Sequence, residues 1–362
     1  MEVHQILPAL SSRDAVSNDA IAIRTILQKQ GFKSEIYAKY IHPDVAKYAK
    51  DLRHYRANPR HVLFYHFSIA GEDVTEYVKT LPCSKGLVYH NITPPSFFQN
   101  YDVNLMELCR KGLAELKTLP PYFFMGIGDS EYNRQMLNDV GFEKTTILPI
   151  IVDWSKYPQN AEKMTPILNK SKEITILFVG RLSPNKKIED LIKIFYYFNK
   201  SINSDSRLIL VGNEQIPRYS SFLKNIVNSL KLQDSVFFAG SVNDKQLHHY
   251  YNIADVFLCM SEHEGFCVPL LEAMHYDLPI IAYNSTAIPY TLNNSGILVN
   301  KKNYRVIAEL IFTILENKQL KERIVAKQRS HLQEFSFEKL LPILLRIVES
   351  LTENAGKMDD KK

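Results

Sequence analysis

The sequence predicts an α/β protein made of two Rossmann-like domains, each a doubly wound parallel sheet. Three observations predict it. Short runs rich in Val, Ile and aromatic residues alternate with segments of helical period from one end of the chain to the other. The strand–helix–strand repeat is about 25–30 residues, the spacing of parallel crossover units. Twelve such runs occur in 362 residues, too many strands for one open sheet and enough chain for two cores.

In the first half the strand candidates are residues 3–10 (VHQILPAL), 34–38 (SEIYA), 61–67 (HVLFYHF), 86–91 (GLVYHN), 122–128 (YFFMGIG) and 145–151 (TTILPII). The amphipathic stretch 18–31 fits a helix with Ser17 or Asn18 as its N-cap and Gly31 as its stop. In the second half the candidates are 174–180 (ITILFVG), 207–212 (RLILVG), 235–240 (SVFFAG), 255–261 (DVFLCMS), 279–284 (PIIAYN) and 296–300 (GILVN). Ile188, Leu191, Ile192 and Phe195 share one helical face, as do Leu223, Ile226, Val227 and Leu230. The polar, Lys-rich stretch 152–173 reads as the break, giving domains over 1–155 and 172–334 and a last amphipathic helix over 335–352. The basic, aromatic stretch 39–56 fits a solvated helix better than an acceptor- or membrane-facing surface.

Bulk properties exclude several classes. Hydrophobic residues are 45% and charged residues 23% of the chain, so it is not a disordered chain. A net charge of +5 suits a diphosphate ligand and is compatible with peripheral contact with anionic membrane, but is too small to point to nucleic acid. No apolar run is long enough for a membrane span, and the start lacks the basic and apolar regions of a signal peptide. Cys83, Cys109, Cys259 and Cys267 have no metal-like spacing, so a cytoplasmic protein with reduced, buried thiols is expected.

Ligands of open α/β sheets collect beyond the carboxyl ends of the strands. After DVFLCMS the sequence gives Glu262-His263-Glu264-Gly265-Phe266-Cys267-Val268-Pro269, then Leu270-Leu271-Glu272-Ala273-Met274. Pro269 suits the first position of a helix, and Gly265 permits a tight turn. The free amides from Gly265 to Val268 then face a positive helix end, an anion site suited to a diphosphate. Glu264 in the loop and Glu272 in the first helical turn offer carboxylates to sugar and ribose hydroxyls. After ITILFVG, Arg181 and Lys186 supply cations that can grip phosphate and stabilise a departing nucleoside diphosphate. No Asp-x-Asp pair occurs, so leaving-group stabilisation by protein cations is favoured and no metal or other cofactor is expected.

Gly180-Arg181-Leu182 with Lys186, followed by residues 261–274 with their Glu-x7-Glu pair, resemble the retaining family 4 (group 1) glycosyltransferases of the GT-B fold. The resemblance covers the second half of the chain closely and the first half in strand order. It implies two domains facing a central cleft, with the terminal helix crossing back. The C-terminal domain would hold a nucleotide-sugar, UDP- or GDP-linked, and the N-terminal domain a saccharide or lipid-linked acceptor. The setting would be surface polysaccharide or glycolipid assembly, on the cytoplasmic side. Arg181 and Lys186 would bind the diphosphate, Glu264 the transferred hexose and Glu272 the ribose. Backbone groups at Ser241 and Val242 would lie against the base. Catalysis would be metal-independent and retain the anomeric configuration. His90, in GLVYHN, matches the histidine that this family places near the reacting sugar, with His66 as its rival. One departure is the first loop, Pro8 to Asp14, which has no glycine where many members have two; Ser12 and Arg13 stand there instead.

Competing readings are a sugar-nucleotide epimerase of the same shape, an inactive nucleotide-sugar-binding protein and a nicotinamide-dependent oxidoreductase. The last has only Gly126-Ile127-Gly128, without a third glycine and too late in the chain. His248 and His249 are adjacent in a helical segment and point to different sides, which argues against a metal pair.

Overall fold

A computed structural model describes residues 1–12, 14–157 and 174–359. The chain divides into two compact units. The first comprises Met1–Pro95, Asn104–Asp153 and the chain from Glu334 onward. Its strands are β1 (Val3–Leu10), β2 (Ile36–Ile41), β3 (Ala49–Asp51), β4 (Val62–Phe67), β5 (Ser84–Tyr89), β6 (Met125–Gly128) and β7 (Thr145–Ile147). They form one parallel sheet in the order β3-β2-β1-β4-β5-β6-β7. The helices are α1 (Ala15–Lys29), α2 (Asp73–Thr80), α3 (Val103–Leu116) and α4 (Glu131–Asp139).

Strands buried on both faces explain the continuous apolar runs: every residue of β4 and β5 is buried. Under one face, Val3, Phe64, Val88 and Ile127 pack with Leu340, Leu344, Ile347 and Leu351 of the terminal helix, Phe337–Asp359. Two local expectations fail here. The first helix is capped by Asp14, whose carboxylate accepts from the Ser17 amide at 3.0 Å, rather than by Ser17 or Asn18. The stretch 39–56 forms no α-helix; it supplies the end of β2, two 3-10 turns and β3. His42 caps the first turn ahead of Pro43, and β3 adds an edge strand that the sequence pattern misses.

The second unit comprises the described residues of Ser96–Val103 and Trp154–Gln333. Its strands are β8 (Ile174–Val179), β9 (Ser206–Val211), β10 (Val236–Gly240), β11 (Val256–Cys259), β12 (Ile280–Tyr283) and β13 (Ile297–Val299). All pair in parallel, in the order β10-β9-β8-β11-β12-β13. The helices are α5 (Ile188–Ser201), α6 (Pro217–Ser229), α7 (Asp244–Ile253), α8 (Val268–His275), α9 (Ile288–Leu292), α10 (Tyr304–Glu316) and α11 (Lys318–Leu332). Ser96–Val103, from the first half of the chain, packs into this unit. Phe97 lies 6.3 Å from the His263 ring and Tyr101 lies edge-on to Tyr219 at 5.1 Å. Among the described residues no helix is long and apolar enough to cross a membrane.

Candidate functional site

The strand order of the second sheet reverses direction between β8 and β11, which places a topological switch point where those strands end. Both loops singled out in the sequence leave the sheet there. The ends of β8 and β9 approach so closely that a Cβ on Gly212 would meet the Gly180 carbonyl oxygen at 1.8 Å. Only glycine fits, so the loop carrying Arg181 starts from a fixed backbone.

Arg181 is exposed, and its side chain has no hydrogen bond or ion pair with another described residue. Lys186 ends a 3-10 turn, Pro184–Lys186, and its Nζ pairs with the Glu264 carboxylate. Glu264 is buried, so this pair is weakly screened. Neighbouring Lys187 turns elsewhere: it lies 3.4 Å from Glu262 and 5.8 Å from the centre of the Phe97 ring.

The two loops are clamped by a residue that sequence reasoning passed over. Asn185 is buried; its Nδ2 donates to the His263 carbonyl at 3.0 Å, and its own carbonyl accepts from the Glu262 amide at 2.8 Å. Ser183 Oγ donates to Asn185 Oδ1 at 2.8 Å and fixes its amide. A second brace is Lys302, whose Nζ bonds both Asp190 and Glu262 at 2.8 Å and lies 4.5 Å from the centre of the Tyr283 ring. Lys302 comes some forty positions after the loop it supports, so no local pattern exposes it.

Helix α8 starts at Val268, with Cys267 as N-cap in the left-handed region at φ 77°. Gly265 and Val268 are half-buried and Phe266 is buried, its carbonyl accepting from Thr291 Oγ1 at 2.5 Å. The Glu264 amide donates to Thr286 Oγ1 at 2.9 Å. Glu272 departs from expectation. The helix begins one residue before Pro269, so Glu272 is the fifth helical residue and belongs to the second turn. Both carboxylate oxygens are engaged, by Tyr157 Oη at 2.7 Å and Tyr251 Oη at 2.5 Å. Burial pushes the Glu272 carboxyl above its ordinary range, and the two hydroxyls pull the other way. Ser241 is exposed and Val242 half-buried in the turn between β10 and α7, where Asn243 and Gln246 form a capping box.

In the first unit, His90 follows β5 and is almost wholly buried. Its Nε2 lies 2.8 Å from Nδ1 of His66 in β4, and its Nδ1 lies 2.9 Å from Asp129 Oδ2. His66 Nε2 in turn meets Gln5 Oε1 at 2.8 Å. The rival histidines are therefore two links of one chain. Asp129 and Gln5 were not anticipated, although Asp129 ends the Gly126–Gly128 run and Gln5 is a polar residue inside an apolar strand. The glycine-free first loop closes on itself: the Ser11 amide donates to Ser17 Oγ at 2.9 Å, and Ser17 Oγ donates to Asp14 at 2.9 Å. Arg13 lies outside the described residues.

Residues 160–331, nearly half of the chain, match the family model described as glycosyl transferases group 1. The O-antigen chain mannosyltransferase RfbU of Salmonella typhimurium is 32% identical over 155 residues, 40% of this chain and 42% of that protein. The chain spans about half the length of the curated relatives it matches. Among solved structures, sucrose-phosphate synthase from Thermosynechococcus elongatus superposes with a TM-score of 0.77 at 16% identity, over 98% of this chain and 100% of that one. Anabaena HepE in complex with UDP-glucose gives 0.72 at 17% identity, over 98% and 100% of the two chains. These likenesses give the fold, which is that of the GT-B glycosyltransferases. The segment that matches the group 1 glycosyl transferase model carries Arg181, Lys186, Glu264 and Glu272.

Proposed function

We propose that the protein is a retaining, metal-independent glycosyltransferase that moves a hexose from a UDP- or GDP-linked sugar to a saccharide or lipid-linked acceptor. The observation that carries the reading is the gathering of Arg181, the Lys186–Glu264 pair and the amino end of α8 at the β8/β11 switch point. A diphosphate needs cations and a positive helix end, and a sugar needs a fixed carboxylate; this strand edge offers all three. RfbU is by its name an O-antigen mannosyltransferase and HepE binds UDP-glucose, which favours a nucleotide-sugar donor and surface-polysaccharide assembly. Such a donor favours a cytoplasmic setting, with peripheral contact at the inner face of the membrane.

In this reading Arg181 and Lys186 take up the diphosphate, and Lys186 leaves Glu264 for the phosphate. Glu264 is then released to accept from the hydroxyls of the transferred hexose. Glu272, held by two tyrosines, presents the ribose side, and Ser241 and Val242 flank the base. The bond between the anomeric carbon and the phosphate oxygen breaks as the acceptor oxygen bonds to that carbon. The acceptor proton passes to the departing phosphate, whose charge Arg181 and Lys186 offset. His90 is the acceptor-side histidine, oriented by His66 and Asp129.

The test is nucleotide release from a panel of UDP- and GDP-sugars, with and without lipid-linked and saccharide acceptors, in the presence of a chelator. Acceptor-dependent release that survives chelation supports the reading. Tight nucleotide binding without turnover on any donor would overturn it in favour of an inactive binding protein.

A further inference from the structure

Two of the four buried, unoxidised cysteines lie together at the candidate donor site. Cys259 ends β11 and Cys267 is the N-cap of α8. Their sulfurs and a Glu264 carboxylate oxygen all lie within 4.8 Å of one another. Cys267 sits at φ 77°, where a side chain costs roughly 1 kcal/mol that glycine would avoid. A thiol is thus held in strained backbone, aimed at a second thiol and a carboxylate.

We propose that Cys259, Cys267 and Glu264 form a site for one soft divalent cation of the zinc class. Two thiolates and a carboxylate fill three of zinc's four tetrahedral positions and leave one for water. Zinc–sulfur bonds of about 2.3 Å put two ligated sulfurs about 3.8 Å apart, so the pair closes by no more than about 1 Å. The balance is simple. Both thiol protons leave to solvent, two metal–sulfur bonds and one metal–oxygen bond form, and no electron moves. The ligated cluster carries one net negative charge, which the Lys186 ammonium beside Glu264 offsets.

Two other groupings contain similar ligand types, but His66, His90 and His4 have their ring nitrogens engaged. His66 and His90 bond each other, Gln5 and Asp129. At the Glu2–His4–His61 cluster the Glu35 amide points at His4 Nδ1 from 3.3 Å, which keeps the ring proton on Nε2, facing Glu2. At the thiol pair the contacts are weaker: Cys259 Sγ lies 3.3 Å from Ser261 Oγ, and the Glu264 carboxylate is shared with Lys186.

Cation binding stands on this cluster alone. Its consequence rests on the transferase reading: a cation holding Glu264 takes the carboxylate meant for the sugar, so it inhibits in competition with the donor.

The experiment titrates the reduced protein with cadmium and follows the ultraviolet thiolate-to-cadmium charge-transfer band, with zinc affinity read by competition against a chromophoric chelator. The expected result is one equivalent bound through two thiolates. That signal is lost in Cys259→Ser and Cys267→Ser, weakened at least tenfold in Glu264→Gln, and kept in Cys83→Ser and Cys109→Ser. Cys267→Gly suits the positive φ and folds even where the serine variant does not. Equal cadmium binding by wild type and Cys267→Gly, or none by wild type, overturns the site. Zinc inhibition relieved by excess donor supports the competition. A wild-type protein that binds the cation but turns over undisturbed overturns the competition and leaves the transferase reading intact.

Discussion

His66 and His90 are joined by a hydrogen bond of 2.8 Å, with ring planes only 7° apart. The proton positions along this chain follow from its far end. Gln5 Nε2 donates to the Ala20 carbonyl at 2.9 Å, so Oε1 faces His66 and must accept. His66 then carries its proton on Nε2 and accepts at Nδ1, and His90 donates from Nε2. One further proton is shared between His90 Nδ1 and Asp129. Burial opposes charge on His90, yet the Asp129 carboxylate, by field and hydrogen bond, and Asp19 raise its pKa above the ordinary histidine value. Asp129→Asn is therefore expected to lower the His90 pKa and to leave His66 neutral. Ring-proton NMR titration checks it, and an unchanged His90 pKa would show that Asp129 does not govern the proton.

Arg181 is exposed and unengaged by other described residues, so it is available to a ligand. A charge-assisted phosphate contact contributes about 1.5–3 kcal/mol. Arg181→Ala should weaken binding of the nucleotide-sugar about ten- to hundred-fold without lowering the thermal midpoint of the free protein. Lys186→Met removes the partner of buried Glu264, so it should weaken the donor and also destabilise the free protein. Calorimetric titration alongside thermal unfolding separates the two. Equal donor affinity in wild type and Arg181→Ala would mean that the diphosphate lies elsewhere.

The elements that were legible in the sequence are those whose cause is local. Runs such as residues 62–65 and 208–211 are apolar because parallel strands are buried on both faces, and that pattern survives without knowledge of neighbours. The loop from Glu262 to Val268 was legible because Gly265, Pro269 and the flanking carboxylates are close in sequence. Asn185, Lys302 and Asp129 were not, because each acts on a loop or ring brought near only by the sheet. The short edge strand β3 was hidden for a related reason: its pairing with β2 overrides the helical look of a Lys- and Tyr-rich stretch. Glu272 was read one turn too early because Pro269 marks the second helical position, not the first.

Glu272 also carries a structural duty. It accepts from the hydroxyls of Tyr157 and Tyr251, and Tyr251 is fully buried. Glu272→Ala leaves that hydroxyl without a partner and opens a void, an expected loss of about 2–4 kcal/mol in urea unfolding. Glu272→Gln keeps an acceptor and should cost less than half as much. If the alanine variant is as stable as wild type, the tyrosine contacts do not hold helix α8.

The pH dependence of stability follows from Asp19. Its carboxylate, in α1, is buried and accepts from the Ile151 amide at 2.8 Å. Burial pushes its pKa up to about 7, against the pull of His90. A raised carboxyl pKa means that the folded state holds the proton where the unfolded chain, near 3.8, has lost it. Stability from this group is thus fully present below about pH 4 and declines as the pH climbs to about 7. The whole change is on the order of 4 kcal/mol. The raised pKa of His90 acts in the same sense, with stability lost as pH rises through it. The depressed pKa of His66 acts oppositely, its penalty appearing as pH falls below 6.5. Asp19→Asn keeps an acceptor for Ile151 and removes the titration. Urea midpoints at pH 5 and pH 8 should then differ less than in wild type, with the variant the more stable of the two at pH 8. An unchanged pH slope would show that Asp19 is ionised throughout.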